Sequence, residues 1–152
     1  MSEILVDQSQ TKKVSPPYFK KIQEFPKTYK PLAPFTTSTL QQDANKKLHL
    51  STKETMRIAQ GLYENGFITY MRTDSLRISA EAETAAKEFI LRNYGSEYYP
   101  PSPRVYKAGK GAQDAHEAIR PISLKIKPED IKDKVQKNYY KLYIIFCIYF
   151  PS

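Results

Sequence analysis

The stretch STKETMRIAQGLYENGFITYMRTDS, residues 51–75, takes the chain out of a helix and into an extended segment, and this transition decides the fold. Ser51-Thr52-Lys53-Glu54 matches a capping box, which opens a helix by satisfying its first backbone donors. Met56, Ala59, Leu62 and Tyr63 recur at helical spacing, and Asn65-Gly66 ends the run. Phe67 to Met71 then reads as a strand that carries Tyr70 two residues before Arg72. Side chains alternate along an extended backbone, so both fall on one face. A phenol, with an ordinary pKa of about 10, is a poor nucleophile at neutral pH unless nearby cations favour the phenolate. A guanidinium supplies such a charge and can grip a phosphate through two hydrogen bonds. Attack by Tyr70 would leave a tyrosine phosphodiester.

Upstream, Ser38 is placed to cap a helix running to about Lys47, with Leu40, Ala44, Lys47 and Leu48 on related faces. Two short helices, a tight turn and a strand make a helix-turn-helix pattern of the winged-helix kind. An ordinary helical hairpin has the same spacing. Residues 1–34 read as an extended, proline-punctuated arm: Ile4-Leu5-Val6 suits a strand, and Pro16, Pro17, Pro26, Pro31 and Pro34 exclude helix. Downstream, a helix is expected from Ser79 to about Asn93, stopped before Gly95, with Ala82, Ala85, Ala86, Phe89 and Ile90 as core. Tyr98 to Gly111 should be a loop, Gln113 to Ile119 a short helix stopped by Pro121, and Pro128-Glu129-Asp130 the start of another helical stretch. Gln136 to Phe146 should form the last helix. The fold class is mainly α with a short β element.

The formal charge of +8, from 24 basic against 16 acidic residues, suits a polyanionic partner but serves solubility equally well. A single cysteine, Cys147, excludes an internal disulfide and fits a reducing cytoplasm. Tyr143 to Phe150 is apolar but too short for a bilayer, which needs about 20 residues. His116-Glu117-Ala118-Ile119-Arg120-Pro121 lacks the second histidine of a zinc helix, so no zinc or membrane partner is expected.

Residues Ala33 to Gln42 (APFTTSTLQQ), Ile68 to Ser75 (ITYMRTDS) and Gln113 to Pro121 (QDAHEAIRP) together resemble the type IA DNA topoisomerases, in order and in spacing. Met71 is closer to bacterial topoisomerase I than to the decatenating relatives, which usually have proline there. The resemblance covers roughly residues 30–143 and implies that residues 31–152 are the catalytic-tyrosine domain, with residues 1–30 part of a hinge region. It implies that Tyr70 attacks single-stranded DNA, that Arg72 stabilises phosphate and phenolate, and that His116 contacts a DNA phosphate near the scissile site. Arg120, four residues beyond His116, would share its face, either as a secondary phosphate contact or as a buried structural arginine. Thr69 and Thr73 are expected to be structural, and Asp74 to orient the loop after the strand.

The family's metal domain, which supplies Mg2+ to the cleavage site, has no counterpart in these residues. Other topoisomerase domains are therefore expected partners, and the isolated segment should be inactive. The apolar run Leu142 to Phe150 departs from the family pattern, which continues with tryptophan and polar residues, and would be sticky if exposed. The rival reading is a non-catalytic winged-helix DNA-binding module. Its recognition helix would be residues 51–64, where Lys53 and Arg57 are opposed by Glu54 and Glu64.

Overall fold

The computed structural model describes residues 31–107 and 116–150. Residues 1–30 of the expected extended arm, with its strand at Ile4-Leu5-Val6, lie outside the described residues, as do Gln113, Asp114 and Ala115.

Among the described residues five α-helices and one 3-10 turn follow in order: α1 (Thr37–Leu48), α2 (Thr52–Glu64), α3 (Ala80–Asn93), the turn Ser96–Tyr98, α4 (Pro128–Ile131) and α5 (Lys137–Tyr149). The cap of α1 is Thr36 and not Ser38. Thr36 is extended and its hydroxyl accepts from the Thr39 N–H, while Thr39 Oγ1 accepts from the Thr36 N–H. With hydroxyls at every position from 36 to 39, any could cap by type alone, and backbone conformation decides. The helix ends at His49, whose left-handed φ of 56° turns the chain sharply toward the Ser51 cap of α2.

The core forms where α5 lies against α2 and α1. Leu40, Ala44, Ile58, Leu62, Leu142, Tyr143 and Phe146 are buried there. Gly61 lets α5 approach α2, because a Cβ at this position would stand 2.4 Å from the Tyr139 ring. The last helix thus runs past its expected end to Tyr149, and the apolar segment is largely used: Tyr143, Ile145 and Phe146 are buried, although Ile148 remains exposed. Phe35 meets Phe146 edge to face at 5.8 Å and Tyr149 at 4.4 Å. On α3 only Ala82 and Ala86 are buried. Ala85 faces solvent, and Phe89 and Ile90 line open grooves.

The strand expected at Phe67 to Met71 is not formed. Among the described residues extended pairing is confined to two isolated antiparallel bridges, Phe35 with Ile119 and Ile68 with Pro121. Pro121 has no N–H to continue a ladder. After Thr69, which bonds through its N–H to the Arg120 carbonyl, the backbone turns to a different partner, the start of α1. The helix expected to reach Ile119 is also absent at its described end. His116 sits in a bend, Ala118 donates to the Arg77 carbonyl and Ile119 to the Phe35 carbonyl, so this stretch spends its donors on other segments. No helix among the described residues is long and apolar enough to cross a membrane.

Candidate active site

Tyr70 lies past the end of α2 on an irregular stretch whose neighbours are anchored. Ile68 and Met71 are buried, and the Thr69 hydroxyl donates to the Ala118 carbonyl at 2.8 Å while accepting from the Arg120 N–H at 3.0 Å. That pair of bonds joins the tyrosine segment to the histidine segment. Thr69 is structural, as expected, and so is Thr73, whose Oγ1 accepts from the Ser75 N–H. The Tyr70 ring lies between two others, with Tyr63 5.2 Å away at a steep 66° angle and the His116 imidazole 5.2 Å away on a 47° tilt. Tyr63 was read from the sequence as part of the apolar face of α2, yet its ring is 42% exposed. It meets the tyrosine because α2 ends one turn before the segment begins.

Arg72 and His116 are both exposed and line one groove of about 460 Å3 together with Thr36, Thr37, Ser38, Gln41, Thr73 and Asp74. That volume is within the range of small-ligand sites. Among the described residues Arg72 has no ion-pair partner, so its charge is available to an anion. Tyr70 is not among the lining residues, and its ring packs against the His116 imidazole that is. Of the three sequence-predicted residues, Arg72 and His116 line this groove and Tyr70 neighbours His116, while the strand expected to put Tyr70 and Arg72 on one face is not formed. Asp74 faces the groove as the one carboxylate of its lining.

Arg120 stands apart. Its guanidinium forms a two-pronged pair with Glu117, Nε to Oε2 at 2.8 Å and Nη2 to Oε1 at 3.2 Å, and donates to the Pro121 carbonyl at 3.0 Å. The side chain is 11% exposed and that of Glu117 22%. Burial pushes the Glu117 carboxyl upward, but the Arg120 hydrogen bonds and charge, with help from Ser79, outweigh it and leave the pKa lowered. Arg120 and His116 do not share a helix face, because no helix joins them. The spacing of Glu117 three residues before Arg120 was the available signal for the pair. Burial pushes the Cys147 thiol up to about 11, which keeps it protonated at neutral pH.

A largely helical domain that sets a guanidinium and an imidazole at one groove, with a phenol packed against the imidazole, is the class of protein this geometry defines. A family model described as DNA topoisomerase matches residues 6–147, and the chain belongs to that family, in its type IA branch. It is 54% identical over 121 residues to DNA topoisomerase 1 of Synechococcus elongatus, covering 79% of this chain and 13% of that protein. It is 44% identical over 146 residues to DNA topoisomerase 1 of Rickettsia prowazekii, covering 90% of this chain and 19% of the relative. Among solved structures, full-length topoisomerase I from Thermotoga maritima superposes with a TM-score of 0.67 at 40% identity, over 80% of this chain and 20% of that one. The chain thus spans less than a fifth of the curated relatives quoted.

Proposed function

We propose that this chain is the tyrosine-bearing part of an enzyme that transiently cuts and reseals one DNA strand, relaxing negative supercoils in the cytoplasm. The observation that supports this is that Arg72 and His116 line one groove, with the Tyr70 ring 5.2 Å from the His116 imidazole and Arg72 in no ion pair among the described residues. In the reaction Tyr70 Oη attacks a backbone phosphorus and loses its proton. The P–O bond to the 3′ oxygen breaks, that oxygen takes up a proton, and a 5′-phosphotyrosine link remains. The reverse attack by the 3′-hydroxyl reseals the strand. One phosphodiester is exchanged for another, so no ATP is consumed.

Arg72 serves as the phosphate clamp and cationic neighbour of the phenolate, and His116 donates to a second phosphate oxygen. Arg120 acts through the fold, holding the His116 segment by way of Glu117. Basic groups interleaved with aromatic rings suit a single strand. Mg2+ does not fit the groove itself, because Asp74 is its lone carboxylate and such an ion needs several oxygen ligands. The ion and the rest of the cleavage machinery belong to other domains of the same enzyme.

The non-catalytic winged-helix reading has less support. Arg57 on α2 lies 3.6 Å from Glu54 and bonds Tyr139 Oη, so the helix that would read DNA has committed one of its two central cations. The test places the chain in the corresponding segment of the Thermotoga maritima enzyme and traps cleaved DNA with denaturant. The phosphate should map to Tyr70, and Tyr70→Phe should abolish the covalent adduct while sparing single-strand binding. An adduct formed by the phenylalanine variant overturns the assignment.

A further inference from the structure

Thr37 grips the backbone on both sides of Arg72. Its Oγ1 lies 2.7 Å from the Met71 carbonyl and 3.1 Å from the Thr73 carbonyl, and accepts from the Thr73 N–H at 2.9 Å. A hydroxyl has one proton to give. The Thr37 N–H already serves the Thr73 carbonyl at 2.9 Å, so the hydroxyl proton goes to Met71. Both peptide units that flank Arg72 are then fixed by one side chain. The cap of α1 is made by Thr36, which leaves Thr37, the first helical residue, free to reach across.

We propose that Thr37 is a positioning residue for Arg72, holding the guanidinium toward the groove it shares with His116; this rests on the role given to Arg72 above. The exposed Arg72 side chain makes no ion pair among the described residues, so its direction depends on its backbone. Met71, buried just before it, fixes where the segment enters the core but not how the next peptide is rotated. Rotation is what the two Thr37 bonds remove. Valine has the shape of threonine without the hydroxyl, and would leave the Met71 carbonyl and Thr73 N–H without that partner.

The experiment measures affinity of the chain for a fluorescein-labelled oligothymidylate by anisotropy, across wild type, Thr37→Val, Thr37→Ser, Arg72→Ala and the Val/Ala double variant. Arg72→Ala should weaken binding about tenfold, the size expected when one charge-assisted hydrogen bond is lost. Thr37→Val should weaken it by about three- to tenfold on the same scale. The double variant should bind no more weakly than Arg72→Ala, because a side chain that acts through Arg72 has nothing left to position. Thr37→Ser, which keeps the hydroxyl, should return to within about twofold. Amide exchange at Thr73 should quicken in Thr37→Val while α5 stays protected. If valine compromises folding, Thr37→Ala, a better helix former, takes its place. A Thr37→Val loss of equal size with and without Arg72, or no loss at all, overturns the proposal while leaving the Arg72 assignment intact. An Arg72→Ala variant that binds as wild type instead overturns the assignment itself.

Discussion

Replacing Arg120 by alanine should weaken the fold far more than the DNA contact. The substitution strands the Glu117 carboxylate, which is only 22% exposed, and frees the Pro121 carbonyl from its 3.0 Å bond. Breaking a fully buried pair costs about 3–5 kcal/mol, and water reaches Glu117 in part, so about 2–3 kcal/mol is the working figure. For a domain of this size that corresponds to a fall of roughly 8–10 °C in the thermal midpoint at neutral pH. The pH dependence carries the signature. Because the folded pKa of Glu117 is lowered, its stabilising contribution is present above the ordinary carboxylate pKa and disappears as pH falls through the folded value. In Arg120→Ala the pairing is gone, and the burial that opposes ionisation is countered only by the weaker Ser79 contacts. The gap between variant and wild type should therefore be widest near pH 7 and narrow steadily into the acid range. Circular-dichroism melts from pH 7 down to pH 3, with single-strand affinity measured in parallel, read both quantities. A variant that melts with wild type but loses DNA affinity would refute the structural role and return Arg120 to the phosphate.

Gly61→Ala should destabilise by about 1 kcal/mol despite alanine's better helix propensity, because its methyl must displace the Tyr139 ring. In a Tyr139→Ala background the sign should reverse, as urea titrations of the four variants would register. His49→Gly should raise stability by about 0.5–1 kcal/mol by relieving the left-handed backbone at φ 56°, measured as a higher urea midpoint at unchanged slope.

Helices were the legible part of this chain because their ends are written locally. Ser51 and Ser79 accept from the backbone three residues on, and Asn65-Gly66 and Gly95 follow the helices they were expected to stop. The extended segments were not legible in the same way. Whether Phe67 to Met71 becomes a strand depends on a partner some fifty residues away, and Pro121 in that partner withholds a donor. The same distance hid the role of Thr37, which in sequence is one hydroxyl among four. Tyr70, Arg72 and His116 stood out because their motifs mark them, whereas the exposed Tyr63 looked like one more apolar position of an amphipathic helix. On α3, spacing could not say how wide the buried stripe would be, and it is only alanine-deep.

The contact of Phe35 with Phe146 and Tyr149 bears on how the domain is made. These partners are more than a hundred residues apart in sequence, and α5 supplies much of the surface that α1 and α2 bury. A nascent chain therefore holds its first helical pair with Leu40, Ile58 and Leu62 uncovered until α5 has left the ribosome. Closing so long a loop comes late and slowly, and the interval is the time when these apolar faces can meet a chaperone or another chain. The tyrosine segment, pinned between α1 and the stretch from Ala118 to Arg120, acquires its geometry only after the later of the two has been made.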